Sequence, residues 1–175
     1  MNESDHISPE QSAFVGVLTD SDRKKVDSKR RLTMRSVWRS AMGSPSSVYM
    51  APGEVEDPAG GKMIRCIEII PPAVFNEKKS GFQGMTEDDP RRLELERYLR
   101  YISYVEFDGD GRLTIPKKYL KFAGIENDVV LNGSFDRIKV WAAGESSVEE
   151  DIDLDEFKAT RRVVNSRAAG NRKEG

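Results

Sequence analysis

Two short stretches of this chain place an arginine four residues after an aspartate. The first runs from Asp27 to Arg31, and the second runs from Asp108 to Arg112, 81 residues further on. An aspartate carboxylate accepts hydrogen bonds from the backbone amides of a tight turn. An arginine guanidinium binds the phosphates or the base edges of duplex DNA. The spacing therefore has two interpretations, a local ion pair that stabilises a turn or a contact with DNA.

The two motifs lie in an internal repeat of the sequence. Residues 27–43 align with residues 108–124 without a gap, and five of the 17 aligned pairs are identical. Trp38 aligns with Tyr119, and Val48 aligns with Val129, so the same register continues beyond the motifs. Two copies separated by this distance indicate a pseudo-dimer within one chain rather than a solenoid of short repeats.

Apolar and polar residues alternate on both sides of the second motif. The apolar positions are Val105, Phe107, Leu113 and Ile115. This period of two predicts two strands joined by a reversal of the chain, with Arg112 and Thr114 on the opposite face. Gly111 tolerates a positive φ in such a turn. The first copy has Arg30 at this position, where a positive φ would strain the backbone by about 1 kcal/mol.

The residues after each motif predict one short helix and two closing strands. Gly43 and Gly124 are suited to end the helices, and Pro116 is suited to the first position of the second helix. The predicted strands are residues 48–50 and 66–70 in the first copy and residues 129–131 and 138–141 in the second. An insertion at about residues 53–62 predicts an exposed loop. The fold class is α+β, with two ββαββ repeats related by pseudo-twofold symmetry.

The other segments connect or flank the repeats. We expect a disordered tail at residues 1–11, the first repeat at 12–75, a linker and helix at 76–103, the second repeat at 104–144, and an acidic and then basic tail at 145–175. An initial strand is predicted around residues 14–18, and a polar linker at 76–84. A connecting helix packed on the core is predicted at about 90–101, and a further helix around 154–164. Residues 167–175 predict a frayed basic end.

Basic residues concentrate around the first motif. Residues 23–39 contain eight basic residues and one acid, whereas residues 145–156 contain seven acids and no base. The formal net charge of -2 argues against a uniformly basic protein that coats nucleic acid. The uneven distribution instead predicts a basic working face and an acidic tail.

Few residues of this chain could form a catalytic or metal site. Cys66 is the only cysteine, and His6 is the only histidine, so we expect no intrachain disulfide, catalytic centre, bound metal or cofactor. The Asp-Gly-Asp-Gly run at residues 108–111 resembles the start of a calcium loop but lacks the other ligands at their spacing. No apolar run has the roughly 18–20 residues of a membrane span. The sequence predicts a cytoplasmic protein that is not an enzyme and does not enter a membrane.

Residues 14–141 resemble the MraZ family. The similarity is carried by the stretch around each motif, residues 26–32 and 107–116, by Ala123-Gly124-Ile125, and by residues 136–141. The chain departs from the family pattern at Arg30, which replaces a glycine, and at Met34-Arg35, which replaces an Ile-Pro pair.

The resemblance implies a duplicated swapped-hairpin fold of the AbrB type. It also implies a bacterial transcriptional regulator of the division and cell-wall gene cluster, which acts at the nucleoid. Such a protein forms a ring-shaped homo-oligomer that binds several direct repeats of double-stranded DNA in its own promoter. Carried over by position and joined with the basic run, the predicted DNA-binding residues are Lys25, Asp27, Lys29, Arg30, Arg31, Asp108 and Arg112.

Two alternatives are also compatible with the residues. One is a scaffold or interaction protein on the same fold that does not bind DNA, since residues 145–156 are acidic and Arg30 and Arg35 break the motif pattern. The other is an AbrB-type antitoxin, for which the C-terminal tail is a partial fit. The operator sequence, the ring size and the choice between repression and activation do not follow from the sequence.

Overall fold

The computed structural model describes residues 16–57, 60–144 and 152–170. The strands are β1 Ser21–Lys25, β2 Arg31–Thr33, β3 Ser47–Glu56, β4 Met63–Ile70, β5 Ser103–Glu106, β6 Arg112–Thr114, β7 Asp128–Ser134 and β8 Arg137–Ala142. The helices are α1 Ser36–Ala41, α2 Pro72–Ser80, α3 Pro90–Leu99, α4 Lys117–Ala123 and α5 Leu154–Gly170. The chain divides into two compact units, Met1–Glu145 and Ser146–Gly175.

The order of elements in the first unit repeats a ββαββ pattern. The first copy is β1-β2-α1-β3-β4, and the second is β5-β6-α4-β7-β8. A six-stranded antiparallel sheet has the order β1-β7-β8-β4-β3-β5. Exchanging each strand for its counterpart in the other copy reverses this order and leaves the pairings unchanged. The predicted α+β fold with two related ββαββ repeats is therefore confirmed.

The first strand of each repeat pairs with the other repeat. β1 pairs with β7, and β5 pairs with β3, so neither strand adds to the hairpin of its own copy. The second strands also meet across the repeats. β2 and β6 form a separate two-stranded antiparallel ribbon in which Leu32 lies opposite Leu113. The two copies are thus joined by exchanged strands, as expected for swapped hairpins.

One apolar core is shared by both copies. Leu32 and Leu113 on the inner face of the ribbon are both completely buried. The aligned aromatic residues Trp38 and Tyr119 are also buried, and the side chain of each donates a hydrogen bond to a backbone carbonyl oxygen. Trp38 Nε1 donates to the Thr19 carbonyl oxygen at 2.8 Å, and the Tyr119 hydroxyl lies 2.8 Å from the carbonyl oxygen of Met50. The residues paired by the sequence alignment of the repeats therefore occupy equivalent positions in the core.

The predicted helices after each motif are present, with one change of detail. α4 is followed by Gly124, whose φ of 63° is the left-handed conformation that ends a helix. Pro116 lies immediately before the first residue of α4 rather than in it, with φ of -58°. Arg35 precedes α1 with the same φ of -58°. Arginine therefore adopts the proline geometry, and its guanidinium pairs with Asp20 at 2.8 Å.

The initial strand predicted around residues 14–18 is wrong in its described part. Val17 is exposed and in no strand, and Leu18 forms only an isolated bridge with Phe135. The first strand is instead β1, in the polar stretch that follows. Its charged residues are exposed or half-buried, and its backbone pairs with the edge of β7, which the hydrophobic pattern alone does not reveal. Residues 1–15 lie outside the described residues.

The insertion predicted as a loop at about residues 53–62 is strand only in its first part, because β3 ends at Glu56 and β4 begins at Met63. The two strands pair in register from Tyr49 opposite Ile70 to Glu56 opposite Met63. The expected exposure is correct for the described residues, because none of residues 54–57 and 60–65 is buried. Backbone pairing thus extends the hairpin without adding to the core.

The segment between the repeats contains two helices rather than one. α2 covers residues predicted as a polar linker, and it begins with Pro72 at a position where the missing amide costs nothing. α3 agrees with the predicted connecting helix, and the Asp89 side chain accepts a hydrogen bond from the Arg91 amide at its start. The predicted packing of α3 on the core is wrong, since none of its residues is buried.

The second unit contains the predicted C-terminal helix. α5 begins after Asp153, whose carboxylate accepts hydrogen bonds from the amides of Asp155 at 2.9 Å and Glu156 at 3.0 Å. The helix continues to Gly170, so part of the predicted frayed end is helical. Residues 145–151 and 171–175 lie outside the described residues.

Candidate nucleic-acid interface

The first turn is held by the carboxylate of Asp27. Its Oδ1 accepts hydrogen bonds from the backbone amides of Lys29 at 2.9 Å and Arg31 at 2.8 Å. Its Oδ2 accepts a hydrogen bond from Arg31 Nε at 2.7 Å. The aspartate therefore fixes both the path of the backbone and the orientation of the guanidinium four residues later.

The second turn repeats this geometry. Asp108 Oδ1 accepts from the amides of Asp110 at 2.9 Å and Arg112 at 3.0 Å, and Oδ2 accepts from Arg112 Nε at 2.8 Å. The side chains of Arg31 and Arg112 are each 29% exposed. The turn-stabilising interpretation of the motif is thus present in the structure. It does not exclude the DNA interpretation, because the Nε bond leaves the outer side of the Arg31 guanidinium available.

These bonds shift the ionisation of the turn residues. The pKa values of Asp27 and Asp108 are lowered, chiefly because the backbone amides of Arg31 and Arg112 donate to the charged carboxylates. The pKa of Arg112 is raised, first by its hydrogen bond to Asp108 and, more weakly, by the charge of Asp27 in the other turn. The two turns are therefore electrostatic neighbours, and both remain charged at neutral pH.

Arg30 adopts the positive φ that its alignment with Gly111 predicts. Its φ is 62°, and that of Gly111 is 73°. The carbonyl oxygen of Arg30 accepts a hydrogen bond from the Ile115 amide at 2.8 Å, and the carbonyl of Gly111 accepts one from the Met34 amide at 3.1 Å. In each turn, the carbonyl of the left-handed residue thus accepts a hydrogen bond from the other repeat. This hydrogen bond explains why the positive φ is kept even where the residue is an arginine.

The ribbon places both arginines on one surface. Arg31 lies opposite Thr114, and Thr33 lies opposite Arg112. These four residues share the outer face of the ribbon, since Leu32 and Leu113 occupy the inner face. Thr33 and Thr114 are exposed. The alternation predicted Thr114 outside, but the pairing of β2 with β6 that brings the two threonines beside the arginines could not be read from either copy alone.

The other predicted DNA-binding residues surround the first turn. Lys25 and Lys29 are exposed, and Arg30 is partly buried. Lys25 lies at 3.8 Å from Asp128, a weak surface ion pair. The described part of the chain gives Lys29 and Arg30 no side-chain partner. The structure therefore brings all seven predicted residues to the two turns or to the strand end that leads into them.

The two turns differ in charge. Residues 27–31 contain three bases and one acid, whereas residues 108–112 contain two acids and one base. Asp110 adds an ion pair of 2.8 Å to the outer side of Arg112, and Arg31 has no counterpart of it because Lys29 occupies the aligned position. The first turn is consequently the more favourable neighbour for a polyanion.

Within residues 16–57, 60–144 and 152–170, no three carboxylate, histidine or cysteine side chains group as metal ligands would. The helices of the same residues include none with the length and apolar character required to cross a bilayer.

Comparison with known proteins points to one family. The model of the MraZ family, whose description is that of an antitoxin-like MraZ protein, matches residues 102–165. This range contains the whole second repeat, including the Asp108 turn.

Curated relatives match a longer part of the chain. A protein of Bacteroides fragilis is 26% identical over 122 residues, which cover 67% of this chain and 72% of the relative. A protein of Caulobacter vibrioides is 27% identical over 121 residues, covering 68% and 72%. A protein of Prosthecochloris aestuarii is 27% identical over 138 residues, covering 75% and 85%. Each of the three is named Transcriptional regulator MraZ.

Proposed function

Because the family model and the relatives support membership of the MraZ family, we propose that this chain is a DNA-binding transcriptional regulator. The observation that carries the proposal is the outer face of the β2–β6 ribbon, where Arg31 and Arg112 lie side by side with Thr33 and Thr114. A two-stranded ribbon fits the major groove of B-DNA, and arginine is the side chain best suited to guanine edges and phosphates there.

The aspartates prepare the arginines for such a contact. An arginine free in solution loses side-chain freedom when it binds, and that loss reduces affinity. Asp27 and Asp108 hold Nε of Arg31 and Arg112 at 2.7 Å and 2.8 Å, so the guanidinium planes are oriented before DNA arrives. The ion pair with the aspartate therefore orients the arginine for the proposed DNA contact. Lys25, Lys29 and Arg30 add positive charge beside the first turn.

The target that we propose is a set of direct repeats in the promoter of the protein's own gene, in the division and cell-wall gene cluster. One copy of the chain offers only a small contact surface. Several copies in a ring would bind several repeats at once, and effective concentration would raise the affinity without enlarging any single contact. The protein would act in the cytoplasm, at the nucleoid.

An apolar groove supports the proposed self-association. It lies between α2, α3 and β3, has a volume of about 680 Å³, and is lined mainly by Tyr49, Phe75, Phe82, Leu95, Tyr98 and Leu99. Phe82, Tyr98 and Leu99 are exposed. Concave apolar surfaces of this kind are more often covered in an assembly than left in water. We propose that a second copy of this chain covers it.

The test is a gel-shift titration of the Arg31→Ala/Arg112→Ala protein with DNA from upstream of its own gene. We expect the affinity to fall by about tenfold or more, since an arginine contact to a base or phosphate is worth about 1–3 kcal/mol. Lys62→Ala/Arg97→Ala is the matched control, because both residues are exposed bases away from the turns. Unchanged affinity in a double variant that still assembles would overturn the assignment.

The alternative of a scaffold or antitoxin on the same fold is favoured by one observation, the acidic second turn, where Asp108 and Asp110 both pair with Arg112. Affinity purification compared with a genomic DNA pull-down separates these functions. Recovery of a protein partner without DNA would support the alternative.

A further inference from the structure

Arg39 of the first repeat contacts the turn of the second repeat. It lies in the last turn of α1, and its guanidinium packs directly on Gly111. A methyl group at Gly111 would come within 2.6 Å of Arg39 Cζ and 2.7 Å of its Nη1. Glycine therefore suits position 111 twice, because its φ of 73° causes no strain there and its missing side chain leaves room for the guanidinium of Arg39.

The guanidinium of Arg39 has no anionic partner in the described part of the chain. Its Nε is buried without a hydrogen-bond partner, and no carboxylate pairs with its terminal nitrogens. The neighbouring arginines differ, because Arg31, Arg35 and Arg112 each form an ion pair of 2.7 to 2.8 Å with an aspartate. A buried donor without a partner costs about 1–3 kcal/mol, and since this Nε is out of reach of a ligand, only the terminal nitrogens of Arg39 could meet an anion.

The alignment of the repeats shows which residues stand at the equivalent positions. The counterpart of Gly111 is Arg30, and the counterpart of Arg39 is Leu120. The first turn therefore has an arginine of its own beside an apolar helix residue, whereas the second turn has a glycine beside an arginine from the other repeat. Each turn therefore has one guanidinium without an aspartate partner in the described residues. In the first turn this group belongs to Arg30 of the turn itself, and in the second it belongs to Arg39 of the other repeat.

We propose that Arg39 is a DNA-phosphate contact of the second turn. The inference rests on the proposed DNA binding and adds a residue that belongs to neither Asp–Arg motif. Without Arg39, the turn of residues 108–112 carries two acids against one base, which repels a phosphate. With Arg39 on Gly111, the local charges balance at two acids and two bases.

The experiment measures binding of the full chain to mixed-sequence duplex DNA over a range of salt concentrations. Mixed-sequence DNA is suitable because phosphate contacts do not depend on sequence, and each one lost lowers the slope of log K against log salt by about 0.9. Arg39→Met keeps an unbranched side chain against Gly111 and removes the charge together with the buried Nε. We expect a reduced slope per bound protomer for Arg39→Met and a retained slope for Arg39→Lys.

Arg97→Gln, which removes an exposed base of α3, is the control and should keep the wild-type slope. If Arg39→Met weakens binding with an unchanged slope, Arg39 only positions the turn and the inference is wrong. If Arg39→Met does not fold, Arg39→Gln is used in the same titration and the same outcomes apply. Loss of binding in Arg31→Ala/Arg112→Ala with no effect of Arg39→Met would overturn this inference alone, whereas absence of DNA binding by the wild type would overturn the proposed function.

Discussion

At the scale of single residues, one aspartate and one arginine serve two purposes. The carboxylate of each motif closes the turn through two backbone amides and holds one edge of the guanidinium. The sequence presented a turn-stabilising pair and a DNA contact as alternatives. In the folded chain the turn-stabilising pair is present, and for the proposed DNA contact it would fix the geometry, because a guanidinium held at Nε presents its other edge in one direction.

The lowered pKa values of Asp27 and Asp108 predict a dependence of stability on acid pH. Since each folded pKa lies below the ordinary value of 3.8, the charged carboxylates stabilise the fold above that pH, and this contribution is lost as the pH falls through the folded pKa values. Asp27→Asn/Asp108→Asn should lower Tm at neutral pH, and the difference from wild type should shrink as the pH falls below 3.8. Calorimetric scans between these pH values measure it. A Tm difference independent of pH would contradict the assignment.

Arg30 should trade stability for affinity. Replacing a non-glycine residue at φ of 62° by glycine removes backbone strain of about 1 kcal/mol, so Arg30→Gly should raise the free energy of unfolding in urea by about that amount. The same change should weaken DNA binding, because a guanidinium beside the first turn is lost. Arg30→Gln is the matched variant, which keeps the strain and loses the charge, and it should weaken binding without the gain in stability. Equal stability of the two variants would show that the turn is unstrained.

At the scale of elements, the repeat and the alternation of apolar residues were enough to predict the ββαββ order, the helix-ending Gly124 and the inward positions Leu113 and Ile115. They could not predict which strands pair. β1 is a polar strand held by backbone hydrogen bonds to β7. Such hydrogen bonds do not depend on the side chains, so the hydrophobic periodicity of the sequence does not predict them. α2 was missed for a related reason, since its single buried residue, Val74, provides too weak an apolar stripe.

The extended hairpin of β3 and β4 should be dispensable for folding. Glu54 lies opposite Arg65, so replacing residues 55–64 by Asn-Gly gives a two-residue hairpin loop in the correct register. The described residues among those removed, 55–57 and 60–64, are not buried, and we expect the free energy of unfolding in urea to change by less than about 1 kcal/mol. A large loss of stability, with Arg31→Ala as the comparison for a surface change, would show that the tip of the hairpin contributes to the core.

At the scale of the whole molecule, the exchanged strands make the two repeats one folding unit. β1 lies on the sheet edge beside β7, and β5 lies beside β3, so each copy completes the hairpin of the other. The symmetry lies in the backbone pairing, whereas the side chains of the two turns differ in charge. The proposed DNA binding through the ribbon would therefore require both copies to be folded.

The groove between α2, α3 and β3 predicts how assembly can be separated from DNA contact. Phe82→Glu places a charge in this apolar groove and should shift the protein to a lower mass in light scattering, because burial of the charge against a second copy is costly. Binding to a multi-repeat promoter should weaken, while the salt dependence per protomer should not change. Met63→Glu, an exposed apolar residue of the hairpin, is the control. An unchanged mass for Phe82→Glu would place the interface elsewhere.

For the proposed DNA binding, the covalent fusion of the two repeats has a consequence for the kind of operator. In a symmetric dimer, every change in one reading turn is copied into the other, and the preferred site is a palindrome. Here Arg30 is the counterpart of Gly111, and Arg39 is the counterpart of Leu120. The residues at these equivalent positions differ because each copy can mutate on its own. The two halves of one molecule can thus favour different half-sites, and a row of such molecules acquires a polarity along the DNA that matches repeats written all in one direction.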